Sequence, residues 1–209
     1  MNTNEHLLSA AELLGIACCM VVASTMASAS PIQWSENGHW YEVVVDASVT
    51  WTSARESAAS LSYQGYDGHL ATITSSAENQ FIADNLLAVT TGYDFCIGGF
   101  QAGGPEPAGG WSWVTGESFT FTNWASGEPS NDAGAAYGNM EEDYLVIWKW
   151  KTFGKWNDTI DAGSPFFTYK SGYIVEYDSV PEPGMLSLLS IGGVAIMRRR
   201  GNRRRHLSL

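Results

Sequence analysis

GWSWVTGESFTFTNWASGEPSN, residues Gly110–Asn131, sets three tryptophans and two phenylalanines among glycines and then closes on a short polar run. Large rings at this density read first as core pins for a loop-rich fold, with sugar-stacking surface as the second reading. By itself GEPSN, Gly127–Asn131, reads as a surface turn. Its Glu128–Pro129 bond belongs to the one class of peptide that adopts cis at modest cost. A second stretch, GKWNDTI at Gly154–Ile160, places an amide and a carboxylate directly after a large apolar anchor. Alone, Trp156-Asn157-Asp158 is a turn, a helix cap or half of a cation site.

The rest of the 209-residue chain narrows these options. One domain and two terminal extras fit this length. Net charge is −11, and six of the eleven basic residues (Arg198, Arg199, Arg200, Arg203, Arg204 and Arg205) crowd the last twelve positions. Between Pro31 and Asp178 stand nineteen acidic side chains against five basic ones. A body so acidic repels phosphate backbones, which argues against nucleic acid and for cations or ligands bound through cations. Cys18 and Cys19 fall in an N-terminal apolar stretch and leave Cys96 alone in the body, so no disulfide framework is expected. Within YDFCIGGF, Cys96 reads as a small buried hydrophobe.

Both ends read as addresses. LLGIACCMVVASTMA, residues 13–27, runs into Ala27-Ser28-Ala29, a small-x-small cleavage pattern, although the preceding residues carry no Lys or Arg. We expect a signal peptide over residues 1–29 rather than a membrane span, because the apolar run is short of about 20 residues. At the other end VPEPGMLSLLSIGGVAIMRRRGNRRR, residues 180–205, joins Pro181-Glu182-Pro183 to an apolar run and an arginine cluster. This order resembles the PEP-CTERM sorting tail of exopolysaccharide-producing Gram-negative bacteria. The resemblance implies an exosortase that recognises Pro181, Glu182 and Pro183 and removes the apolar run and basic tail, so the segment meets the membrane only transiently. The arginines stay on the cytoplasmic side and the body, residues 31–178, is exported to the envelope, surface or matrix.

Inside the body, WYEVVVD (Trp40–Asp46) has the β-branched density of a strand. TWTSARESAASLS (Thr50–Ser62) predicts a helix with Ala54, Ala58 and Leu61 at helical spacing. SSAENQFIADNLLAV predicts another, with Ser76 as N-cap and Phe81, Ile82, Leu86 and Leu87 on one face. Short strands come next, EDYLVIW and SGYIVEY being the clearest. Two early helices and a loop-rich β half make an α+β fold.

These stretches together resemble the C-type lectin-like domain from about Trp40 to Tyr177. GHLATITSSAENQFI is similar to that family's helix-turn-strand signature, and CIGG (Cys96–Gly99) sits at its Trp-Ile-Gly-Leu motif. The opening stretch matches Gly-x-Trp-x-Trp … Asn-Trp … Gly-Glu-Pro-Asn, EEDYLVIW matches Glu-Asp-Cys-Val-x-Ile, and GKWNDTI matches Trp-Asn-Asp. Ala58, Tyr144 and Val175 stand where the family carries disulfide cysteines, which makes this a disulfide-free version. A body of about 150 residues buries enough surface to fold without them.

The resemblance implies a calcium ion held by Glu128, Ser130, Glu142, Asn157 and Asp158. Calcium takes 6–8 hard oxygens, and in the family two vicinal sugar hydroxyls complete the shell. Glu128, Ser130, Glu142 and Asn157 then also hydrogen-bond the carbohydrate, and Asp158 also offers its backbone carbonyl. Glu-Pro-Ser departs from the family's mannose-type Glu-Pro-Asn and galactose-type Gln-Pro-Asp, since a hydroxyl is a shorter ligand than an amide. Asn131 and Asp132 are the neighbours able to fill that corner. The implied function is an exported, calcium-dependent carbohydrate-binding module. The alternative is a calcium-independent adhesion or scaffold module of the same fold that binds protein. We expect no enzyme: carboxylates committed to a cation shuttle protons poorly, and His39 and His69 lie in strand-like or core-motif contexts.

Overall fold

The computed structural model describes residues 30–179, apart from 48, 136–137, 139 and 163–169. The expected leader and the expected sorting segment with Pro181, Glu182 and Pro183 lie outside the described residues. Among those described, no helix is long and apolar enough to cross a membrane.

The architecture is α+β, as the pattern predicts. The elements are β1 (Ile32–Gln33), β2 (Trp40–Val45), α1 (Trp51–Ser60), β3 (Ser62–Tyr63), β4 (Tyr66–Leu70), α2 (Ser76–Ile82), β5 (Asp94–Gln101), β6 (Trp111–Trp113), β7 (Tyr144–Trp148), β8 (Trp156–Thr159) and β9 (Lys170–Tyr177). The sheet runs β1-β2-β9-β5-β7-β8, with β4 also on β9 and β6 on β5. β2 and β9 pair antiparallel from Trp40↔Tyr177 to Val45↔Gly172, so the two ends of the domain close on each other. Gly172 permits this closure. Its φ is +152°, and a Cβ there would lie 1.9 Å from the Val44 carbonyl.

Strand alternation gives the sheet two apolar faces. Tyr41 and Val43 join Ile82, Leu86 and Leu87 of the α2 region. Val44 joins Trp51, Ala54 and Ala58 of α1. Thr50 caps α1 reciprocally with Ser53. The helix ends at Ser60 and not Ser62, because Leu61 turns extended and the chain enters β3. The cap of α2 is Ser75 rather than Ser76, since the Ser75 hydroxyl reaches the Glu78 N–H at 3.1 Å. Past Ile82 the helix widens into one π-type turn, Ala83–Leu87, closed by Ala88 N–H to the Ala83 carbonyl at 3.0 Å. Phe81 stays only half-buried and lies against Tyr41 and Trp34. In the GHLAT stretch the order is strand, turn, helix, the reverse of the expected helix-turn-strand.

Apolar contact stands where cross-links were expected to be missing. Ala58 and Val175 share one cluster and Tyr144 packs onto it, its ring 4.7 Å from that of Trp51. Cys96 is free and fully buried, and burial pushes its thiol up to about 12.

Candidate cation and ligand cleft

The site is built on β8 and on the long loop between β6 and β7. Trp156 opens β8 and is 0% exposed. Its ring meets Trp113, Phe121 and Trp124 edge-on at 5.5–5.9 Å, and its indole N–H donates to Asn79 Oδ1 at 2.8 Å. Its backbone holds the loop as well: Trp156 N–H donates to Asn123 O at 3.0 Å, and Ala125 N–H to Trp156 O at 2.9 Å. Glu128 comes three residues later, joined to Pro129 by a cis peptide bond.

Glu128, Ser130, Glu142 and Asn157 are brought to one cleft of about 330 Å³, together with Asp132 and Thr159. Asp158 is placed differently. Successive strand residues face opposite ways, so Asn157 and Thr159 line the cleft while Asp158, 1% exposed, turns under the loop. There its Oδ2 accepts the backbone N–H groups of Ser130 at 2.8 Å and Asn131 at 2.6 Å. Of the two candidates to assist Ser130, Asp132 lines the cleft. Asn131 is otherwise engaged, accepting from Glu142 N–H at 2.8 Å and donating to Glu141.

Electrostatically the cleft is short of positive charge. Burial first, then the charges of Asp158, Glu128 and Asp132, push Glu142 up to about 7. Burial and Glu128 push Asp158 up to about 6, against the pull of the Asn131 and Ser130 N–H groups. Glu128 Oε2 and Asp158 Oδ1 are buried with no hydrogen-bond partner, and each such atom costs about 1–3 kcal/mol. Hard carboxylate oxygens with unmet bonding capacity are the donor set a calcium ion takes. Its charge would offset the burial and repulsion that favour protonation of Glu142 and Asp158. The residues present therefore fit that ion, with Asp132 as an added donor. Among the described residues, the trio whose candidate ligand atoms lie within 4.8 Å of one another is not in the cleft but is His39, Glu176 and Asp178.

That trio belongs to an ion-pair network that also takes in His69. His39 Nδ1 lies 2.7 Å from Glu176 Oε1 and 3.3 Å from Asp178 Oδ1, and His69 Nε2 lies 3.0 Å from the same Asp178 oxygen. Tyr41 OH bridges Glu78 and Glu176 at 2.7 Å each, which ties α2 to β2 and β9. Burial opposes charge on His69, but its bond to Asp178, the Glu176 charge and the Leu70 carbonyl outweigh it and raise the ring to about 9. A raised histidine stabilises fully below its unfolded value near 6.5 and loses that contribution as pH climbs through about 9. We predict that the stability difference between wild type and His69→Gln, on the order of 2 kcal/mol at pH 6, disappears by pH 10. Parallel melting profiles across this range would refute the assignment.

The remaining wall of the cleft is Asp94, Trp148, Trp150, Lys151 and Lys170, which sequence reasoning did not reach. β5, β7 and β9 gather these residues from distant segments. The one local signal is WKWKTF, Trp148–Phe153, where large rings alternate with lysines directly after a strand.

No family model matches the chain. It is 32% identical to ladderlectin of Oncorhynchus mykiss over 147 residues, which cover 70% of this chain and 69% of that protein. It is 31% identical to halomucin of Haloquadratum walsbyi over 154 residues, or 68% of this chain but 1% of that protein. Among solved structures, the cow C-type carbohydrate-recognition domain of CD23, determined in the presence of a GlcNAc2Man3 oligosaccharide, superposes with a TM-score of 0.53. That match has 20% identity and covers 72% of this chain and 95% of the other.

Proposed function

The chain belongs to the C-type lectin-like domain family, and from that premise we propose that it binds carbohydrate through a calcium ion held by Glu128, Ser130, Glu142, Asn157 and Asp158. One observation carries the reading. Glu128 and Asp158 each keep a buried carboxylate oxygen without a partner beside a cleft lined by Glu142, Asp132 and Asn157. Calcium, when bound there, would supply a hard centre able to take sugar hydroxyl oxygens among its 6–8 ligands. Glu128 and Glu142 accept from those hydroxyls, Asn157 donates its amide, and the Asp158 carboxylate fixes the Ser130–Asn131 backbone. No bond-breaking step is assigned to these carboxylates.

Calcium in hundredfold excess over its Kd stabilises a one-site protein by about 2.7 kcal/mol, or roughly 5–10 °C in a body of this size. We predict a rise of that order, reversed by EDTA, and a glycan-array signal present only with calcium. An unmoved Tm with calcium-independent protein binding would favour the scaffold reading instead.

We also propose export, with residues 1–29 as leader, 31–178 as the binding domain and 180–205 as the segment an exosortase removes. The Ala27-Ser28-Ala29 and Pro181-Glu182-Pro183 motifs support this. Intact mass of protein from the native envelope should lack the arginine cluster; full-length chain to Leu209 would argue for a plain anchor.

A further inference from the structure

The cleft continues beyond the calcium candidates. Glu142 precedes β7, Asn157 pairs with Val146 at its middle and Asp94 with Trp148 at its end, so the wall residues are strung along a strand roughly 13 Å long at about 3.3 Å per residue. One pyranose ring cannot cover that span.

The far end carries a fixed aromatic face. Trp150 is 52% exposed, although burying an indole is among the larger apolar gains available to a fold. It is nevertheless held in place. Its side chain hydrogen-bonds the Asp94 carboxyl, and its ring meets Tyr93 edge-on at 5.9 Å and 86°. An indole restrained at its N–H and along one edge presents a rigid face to solvent. Such a face suits the C–H side of a sugar ring, with little ordering cost on binding.

Asp94 adds the polar half. The residue is 8% exposed and lines the cleft, and its Oδ1 is buried with no hydrogen-bond partner. An acceptor left in that condition is a standing penalty that a donor relieves, and sugar hydroxyls are donors. The nearby lysines do not dominate this end. Lys170 Nζ donates to the Ile160 and Ala162 carbonyls, and Lys151 Nζ lies 4.3 Å over the Trp148 ring. A neutral unit suits the balance better than an anionic one.

We infer that Asp94 and Trp150 form a second saccharide subsite, so that this chain reads an oligosaccharide of two or three neutral units along the cleft rather than one terminal sugar. The inference rests on the carbohydrate reading above and deepens it. The Trp150 face stacks on the distal ring, and Asp94 Oδ1 accepts one of that ring's hydroxyls.

Calorimetry in millimolar calcium tests this with methyl glycosides of mannose, glucose, galactose and N-acetylglucosamine, each beside its homotrisaccharide. For the sugar that binds, the trisaccharide is expected to bind at least tenfold tighter than the monosaccharide. Trp150→Ala should bring that ratio to about one, leaving monosaccharide affinity and the calcium-induced Tm rise unchanged, since Trp150 supports no core. Asp94→Asn, which retains the shape but weakens the acceptor, should lower trisaccharide affinity severalfold and leave the monosaccharide alone. Equal binding of mono- and trisaccharide by wild type, or an undiminished ratio in Trp150→Ala, overturns the subsite while leaving the calcium reading intact. Failure of every sugar to bind with calcium overturns both.

Discussion

Asn157→Ala/Asp158→Ala protein is expected to lose calcium-dependent carbohydrate binding altogether while keeping its fold. The two side chains fail for different reasons. Asn157 faces the cleft, and its loss removes an amide carbonyl from the ion and an amide donor from the sugar. Asp158 accepts the Ser130 and Asn131 N–H groups, so its loss frees the loop that carries Glu128 and Ser130. Hydrogen bonds to a charged group contribute about 1.5–3 kcal/mol each. Removing two together with a ligand should weaken calcium by at least two orders of magnitude, at roughly 1.4 kcal/mol per tenfold. The core is spared because Trp156 still fills it from the same strand. Calorimetry with calcium, beside near-ultraviolet circular dichroism for packing, reads both effects. Asp158→Asn separates them, since an amide oxygen still accepts the two N–H groups but carries no charge. Wild-type calcium affinity in the double variant would sink the site assignment.

The same pair shows how far sequence reaches. Adjacency in Trp156-Asn157-Asp158 suggested two ligands side by side, yet on a strand neighbours point apart, and Asp158 reaches the site from beneath it. Period-two alternation was legible in principle; that a strand rather than a turn would form there depended on pairing with β7, Val146↔Asn157 and Leu145↔Asp158. Strands dense in β-branched residues and the helix behind Thr50 were readable because their signals are local. The choice between Ser75 and Ser76 was not, because either hydroxyl suits an N-cap and only the backbone geometry selects one. Asp94, Trp150 and Thr159 were out of reach for a simpler reason. They meet only after β5, β7, β8 and β9 assemble. Ser130 looked like the weak corner by comparison with the family motif, and the structure sets Asp132 beside it on the cleft wall.

Trp156→Ala should be the most damaging single change in the domain. Emptying a fully buried tryptophan site costs about 3–5 kcal/mol, and here it removes ring contacts with Trp113, Phe119, Phe121 and Trp124 together. It also strips Asn79 Oδ1 of the indole donor, at about 1–3 kcal/mol more. Against a whole-domain stability of about 5–15 kcal/mol, the variant should sit at or near the edge of unfolding at 37 °C. Trp156→Phe keeps most of the ring contact and loses only the N–H and part of the volume, so about 2 kcal/mol is expected. Urea unfolding of the three proteins measures this. The functional consequence comes through the backbone, because Asn123 and Ala125 bond to Trp156 on either side of Trp124 and so set where Glu128 begins. Calcium affinity should therefore fall in Trp156→Ala even where the protein remains folded, and recover in Trp156→Phe. A folded Trp156→Ala protein with undiminished calcium affinity would mean the loop is positioned by Asp158 alone.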